Sequence, residues 1–324
     1  MRRRDFLRAS AVGAVAFSFS GLTLFSQRSQ AANVSIALTA RALPVTLGGT
    51  FGVTNTGTVA TTFWRFTNDV GSPAVGPGGL SSGIAVQEGD QVTVTLTNTL
   101  SVAVNFTIPG VLSNTPSAAA NGGMQTYTFT APKAGSYFFV DSVNDELAKA
   151  MGLSGPLVVA PAGGGNMLYS GGPSFDKQYT LVLHEVDTRV NNAVANGLAP
   201  DLANYEPDFY FVNGVSYPAS ESNPSTAITM TQQQRIAMRF INTGLHINSM
   251  HFHGWHVNVA TRNRTPETII VEKDTVPVDV SECVDIILPV GAQVGVYELH
   301  NHFLPAVTGN GFYPYGAMLM MTSA

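Results

Sequence analysis

Apolar and polar residues alternate along most of this chain with a period of two. The clearest runs are Gln91-Val92-Thr93-Val94-Thr95-Leu96, Gln125-Thr126-Tyr127-Thr128-Phe129-Thr130 and Gln178-Tyr179-Thr180-Leu181-Val182-Leu183. Successive side chains on a strand point to opposite faces, so each run predicts a strand with one apolar face. Gly, Pro, Asn and Asp interrupt the runs at short intervals. That rhythm predicts an all-β protein, a sandwich or barrel. Helical periodicity is almost missing. One short helical turn is expected at Asp145-Glu146-Leu147-Ala148-Lys149-Ala150-Met151.

Two stretches break the strand pattern in the middle of the chain. Pro161-Ala162-Gly163-Gly164-Gly165 and Ser170-Gly171-Gly172-Pro173-Ser174 carry linker chemistry. They divide the chain into an expected first domain over 32–163, a linker over 164–177 and a second domain over 178–324. About 290 residues beyond the first 31 suit two sandwich domains better than one.

Residues 1–31 read as a targeting segment. Arg2-Arg3-Arg4-Asp5-Phe6-Leu7-Arg8 is a twin-arginine pattern, a mildly apolar stretch runs from Ala9 to Phe25, and Ala31-Ala32 offers a cleavage site. The expectation is Tat export to the periplasm or cell surface. The alternative, a membrane anchor, meets a stretch that is short for a span and carries Ser10, Gly13, Ser18 and Ser20. Nothing later in the chain reads as a membrane span.

Composition narrows the partners. The whole chain has a net charge of −5 from 16 basic and 21 acidic residues. Five of the arginines but only Asp5 fall within residues 1–31, so the remainder is more acidic still. An acidic chain lacks the electrostatic footprint of a nucleic-acid binder. Charged residues make up 11% of the sequence, against about 25% in typical globular domains. The Thr-, Asn- and Gly-rich surface this implies leaves room for homo-oligomer contacts. A single cysteine, Cys283, excludes an internal disulfide framework. There is no GxSxG elbow, Walker loop or GxGxxG after a strand.

The chemistry is concentrated in histidine. Six of the 7 histidines lie between residues 246 and 302, and none precedes His184. Met250-His251-Phe252-His253-Gly254-Trp255-His256 and Leu299-His300-Asn301-His302 each contain His-x-His. On a strand, residues i and i+2 share a face, so two such pairs meeting in one fold would gather four imidazoles. His251, His253, His300 and His302 are the expected metal ligands, with copper the natural guest and zinc an alternative. The competing reading is a relic, imidazoles hydrogen-bonded to carbonyls and water. His256 and His246 are out of register with the pairs. His184 reads as structural or surface. Met318, Met320 and Met321 read as core residues of a final strand.

The order of motifs resembles a multicopper oxidase built from cupredoxin domains. Val86-Gln87-Glu88-Gly89-Asp90-Gln91-Val92-Thr93-Val94, Ala134-Gly135-Ser136-Tyr137-Phe138-Phe139 and Gly152-Leu153-Ser154-Gly155-Pro156-Leu157-Val158-Val159 resemble the strands of a first domain. Phe209-Tyr210-Phe211-Val212-Asn213-Gly214, His251-Phe252-His253-Gly254, Lys273-Asp274-Thr275-Val276, His300-Asn301-His302 and Gly316-Ala317-Met318 resemble those of a last domain. The resemblance implies two cupredoxin-like Greek-key β-sandwich domains and copper as cofactor.

It also implies losses. Complete members hold a blue copper through a Cys, two His and often a Met, and an oxygen-reducing cluster through eight His in four pairs. Here Asn301 stands at the Cys position and Asn248 at one blue-copper His position, and residues 303–315 supply no second His. The first-domain His pairs fall on Thr107-Ile108-Pro109-Gly110 and Val140-Asp141-Ser142, where Asp141 is the one replacement that could offer an oxygen ligand. Cys283, beside Val284-Asp285-Ile286-Ile287-Leu288, reads as a buried small residue. The expectation is a periplasmic, multicopper-oxidase-like copper protein with a His-only site and no blue copper. Its partners would be a small-molecule reductant or an oxygen species. Two alternatives stay open: a non-enzymatic Tat-exported scaffold of the cell envelope, and periplasmic copper storage or delivery.

Overall fold

The computed structural model of the chain describes residues 16–17, 30–51, 54–68, 83–269, 271–291 and 293–324. Nearly all of the expected export signal lies outside the described residues. The N-terminal half carries β1 (Ala16–Phe17), β2 (Asn33–Phe51), β3 (Thr54–Thr67), β4 (Gly83–Gln87), β5 (Gln91–Asn98), β6 (Gly123–Thr130), β7 (Gly135–Val140), the helix α1 (Asp145–Met151) and β8 (Ser154–Ala160). The C-terminal half carries β9 (Lys177–Val186), the helix α2 (Thr188–Ala195), β10 (Phe209–Val212), β11 (Ile228–Met230), β12 (Ile236–Asn242), β13 (Asn248–Phe252), β14 (Val257–Arg262), β15 (Thr265–Pro266), β16 (Glu272–Lys273), β17 (Thr275–Val278), β18 (Cys283–Leu288), β19 (Gly295–Asn301) and β20 (Met318–Ser323).

Each half is a pair of sheets closed on its own apolar core. In the first half the strand orders are β3-β2-β5-β6 and β1-β4-β8-β7. In the second they are β10-β9-β12-β18-β14-β15, with β16 added on β14, and β11-β20-β19-β13-β17. The pairing is made twice over. β2 runs parallel to β5, which pairs antiparallel with β6; β9 runs parallel to β12, which pairs antiparallel with β18. In the facing sheets, β4‖β8 and β8–β7 are matched by β11‖β20 and β20–β19. Even the strand ends agree. Asn98, closing β5, and Asn242, closing β12, each accept from the backbone N–H two residues on and donate to three carbonyls of the following loops.

The seam between the halves explains why β9, β12 and β18 are buried on both faces. Tyr179, Leu181, Leu183, Met238, Phe240 and Val284 point into the second core. The alternate positions point at the first half instead of water. Ile241 and Cys283 pack on Phe138 and Val140 of β7. Between them, Arg239 and Asp285 form a buried ion pair at 3.1 Å. Ser136 of β7 donates to Asp285, and Thr261 does so at 3.1 Å. A buried pair adds little on its own account, but removing one partner costs about 3–5 kcal/mol.

Two local expectations need comment. Residues 164–177 are mostly exposed or half-buried, but Leu168 and Phe175 insert against Ala237 and Ile287. The helix α2 was not anticipated. Asp187 caps it by accepting from the Arg189 N–H, and Val190 is its buried anchor. α1 forms where expected and ends on Gly152 in the left-handed conformation. No helix among the described residues is long and apolar enough to cross a membrane.

Candidate metal centre

The two His-x-His segments sit on neighbouring strands. β13 pairs antiparallel with β19 so that His251 stands directly across from His300, Met250 across from Asn301 and Phe252 across from Leu299. Met250, Phe252 and Leu299 are fully buried in the second core. With those positions turned inward, the strand period of two turns His251 and His300 outward on the opposite face. The ladder runs past both strand ends: the His253 N–H donates to Glu298 O at 3.0 Å and the His302 N–H to Ser249 O at 2.6 Å. All four imidazoles therefore lie on one face of one ribbon.

The turn after His253 depends on Gly254. Its φ is +82°, and a Cβ there would lie 2.7 Å from the Tyr297 ring. Trp255 closes over that ring at a centroid separation of 4.2 Å. Glycine thus lets the chain turn sharply while His253 stays on the ribbon.

Coordinating nitrogens of His251, His253 and His300 all lie within 4.8 Å of one another. Two nitrogens each about 2.0–2.1 Å from one ion can be at most about 4.2 Å apart, so small ring rotations close the set. His251 and His300 are half-buried and His253 is exposed, which leaves the centre open on the solvent side. His302 stands at the edge. Its ring centroid is 5.3 Å from His251 and 6.0 Å from His300, and its nitrogens fall outside the three-His group.

Hydrogen bonding orients the rings. His300 Nδ1 lies 3.0 Å from Asn301 O, so Nδ1 carries the proton and Nε2 the lone pair. His251 Nδ1 bonds Thr275 Oγ1 at 2.9 Å. His253 Nε2 and His300 Nε2 are 3.1 Å apart and share one proton between them. A proton held between two imidazole nitrogens occupies a place that a cation can take. Burial, then the neighbouring His253 and His300, holds the His251 imidazole below its usual pKa and keeps it neutral, the ligand form. The donor set therefore fits a borderline ion such as copper or zinc.

Comparison with known proteins gives the family and the fold. Residues 74–163 match one multicopper oxidase family model and residues 191–314 match another. The chain belongs to the multicopper oxidase family. Among solved structures, a blue copper oxidase from Nitrosomonas europaea is similar at a TM-score of 0.71 and 21% identity, covering 89% of this chain and 85% of that one. A second multicopper oxidase structure is similar at a TM-score of 0.67 and 19% identity over 98% of this chain and 99% of the other. A copper nitrite reductase from Nitrosomonas europaea is similar at 0.63 and 20% identity, over 90% and 94%. These likenesses establish the fold, two cupredoxin-like Greek-key sandwiches. No curated protein matches the chain.

The remaining candidate residues of this multicopper oxidase family member do other work. Asn301 Oδ1 accepts from the backbone N–H of Ser249 at 3.0 Å and of Phe303 at 3.1 Å, and its Nδ2 donates to Asn248 Oδ1 at 2.6 Å. Asp141, considered as an oxygen ligand, is spent in the same way: its carboxylate accepts from the N–H groups of Asn105, Val143 and Asn144 and from Asn144 Nδ2. His246 packs between Tyr205 and Phe303, away from the pairs, and His256 lies exposed beyond the turn. His184 is buried against Phe63, with neither ring nitrogen hydrogen-bonded; burial, reinforced by Arg65, pushes its pKa down to about 3. Cys283 is buried and its thiol pKa is raised by burial, as an inert core residue requires. The methionines divide. Met318 and Met321 are buried, and Met320 is half-buried; Met318 and Met320 pair with His300 and Glu298 and share their face of the sheet.

Proposed function

We propose that this chain is an exported, multicopper-oxidase-like copper protein. Its second half would hold a His-only centre and oxidise a small reductant there, with dioxygen or peroxide as the electron acceptor. The observation that carries the reading is the direct cross-strand pairing of His251 with His300, with His253 beside both. His251, His253 and His300 would hold the ion, and His302 would stand at its solvent side. Copper at this place would supply one-electron chemistry. Zinc fits the same donors without it.

The chain's own residues set the terms. Thr275 and the Asn301 carbonyl fix which ring nitrogens face the centre. His253 Nε2 carries the proton of its contact with His300 Nε2, so holding an ion there would require His253 to carry that proton on Nδ1 instead. Asn301 offers no thiolate, and its side chain is committed to Ser249, Phe303 and Asn248. A reductant therefore has to reach the imidazole face itself, which is open. The titles of the similar structures name a blue copper oxidase and a copper nitrite reductase, which supports copper over zinc. The twin-arginine segment supports Tat export to the periplasm or cell surface.

The test is copper loading of the purified chain, followed by metal analysis, visible spectroscopy and turnover with 2,6-dimethoxyphenol. The reading expects bound copper, no intense blue thiolate band, and oxidation that disappears in His251→Ala. Bound copper without turnover would mean storage or delivery instead. A second reading, a non-enzymatic envelope scaffold, is favoured by the hydrogen-bonded closure of Thr107 and Asp141 in the first half. Absence of both metal and turnover selects it.

A further inference from the structure

The geometry points to a second, metal-independent site: the cavity under the 166–175 segment binds an amphipathic aromatic acid. This segment folds back onto β14 and β18, held by Leu168 and Phe175. It leaves a cavity of about 350 Å³ lined by Tyr169, Ala260, Ile287, Asn258, Arg235 and Glu267, among others. That volume is in the range of small-molecule sites.

The walls specify the ligand. Ile287 and Ala260 supply an apolar floor, and Tyr169 supplies a flat aromatic side. The Tyr169 ring is seated over Gly172, where a Cβ would lie 2.7 Å from it, so the wall is fixed. Such a surface suits a planar ring system.

The polar groups are few and unequal. Glu267 is ion-paired with Arg262 at 3.5 Å. The Arg235 guanidinium donates to Ser174 Oγ at 3.1 Å and has no acidic partner within ion-pair distance among the described residues. The Asp176 carboxylate accepts from the Arg235 backbone N–H at 2.7 Å, and the guanidinium itself, at the mouth of an apolar cavity, is left for an anion contact. The two features together describe a flat ring system carrying a carboxylate.

The probe is 2-naphthoate, titrated calorimetrically into the full chain without added metal. A Kd below about 1 mM is expected. 2-Naphthol, which lacks the carboxylate, should bind about tenfold more weakly, as should the acid to Arg235→Gln. Ala260→Trp fills the cavity and should abolish binding while leaving the thermal unfolding midpoint close to wild type. Should that variant fail to fold, Arg235→Gln on the exposed rim decides alone. No binding at millimolar probe, equal affinity for the acid and 2-naphthol, or unchanged affinity in Arg235→Gln overturns the proposal.

Discussion

In the C-terminal half His251 stands across from His300; at the corresponding place in the N-terminal half Thr107 stands across from Val140. Two residues before each first member, Ser249 and Asn105 donate their backbone N–H to one side-chain oxygen, Asn301 Oδ1 in one half and Asp141 Oδ1 in the other. Two residues after that side chain, Phe303 and Val143 donate to the same oxygen. So Asn301 and Asp141 perform one structural task in two places. The frame is kept in both halves, and what differs is its contents. The first half fills its paired positions with a threonine that donates to the Val140 carbonyl at 2.7 Å and with an apolar side chain packed on the seam. The second half leaves its imidazoles in the open.

The largest effect should come from cutting the shared tie. Asn301→Leu strands the Ser249 and Phe303 N–H groups, and Asp141→Leu strands those of Asn105 and Val143. Each should lose about 2–4 kcal/mol in urea unfolding. Similar losses support equivalence; a cost in one half and none in the other breaks the comparison. Asn301→Cys should restore no blue colour, because Asn248 and residues 303–315 still lack imidazole.

Next in size is the metal. Replacing His251 and His300 together with Ala should weaken copper binding by at least about 100-fold, or about 2.7 kcal/mol. The unfolding midpoint of the metal-free protein should hardly move, since both rings sit on an open face. Equilibrium dialysis with metal analysis reads the first quantity and urea unfolding the second.

A third prediction concerns the seam, where His184 meets Phe63. Its imidazole pKa falls from 6.5 unfolded to about 3 folded. Below pH 6.5 the unfolded chain takes up a proton that the folded chain refuses until about pH 3. Its contribution is therefore full above 6.5 and is lost as pH falls through that window, by at most about 1.4 kcal/mol per pH unit. Glu185, raised by burial to about 7, acts in the opposite sense above 4.5. His184→Leu isolates the histidine: its stability relative to wild type should rise from pH 7 to pH 5. A constant difference would show that His184 titrates normally.

The smallest effect separates the fourth imidazole from the other three. His302→Ala should change copper affinity by less than about threefold. A change as large as that for His253→Ala would place His302 in the primary coordination set.

Much of this was legible in the sequence, and the failures have physical reasons. The alternation at Gln91–Leu96 became β5, half buried and half polar in register. The same alternation at Gln178–Leu183 misled in part. Gln178 and Thr180 are polar but buried, because that face of β9 meets the other half of the molecule. α2 was hidden by its run of Asn191 and Asn192, although Asp187 ahead of Val190 was a usable start signal. The two His pairs were visible from i, i+2 spacing. Their register was not: nothing local says that His251 faces His300 across a separation of 49 residues, or that the strand ends at Asn301 and leaves His302 at the rim. Nor could local pattern expose the twin roles of Asn301 and Asp141, which need both halves side by side.

The most direct measurement is anomalous diffraction at the copper edge from crystals of the copper-loaded protein. The account predicts a peak bonded to His251, His253 and His300, and none at Asn301, Cys283 or the Thr107–Val140 position. A peak elsewhere, or none at the three imidazoles despite copper in the crystal, would contradict it.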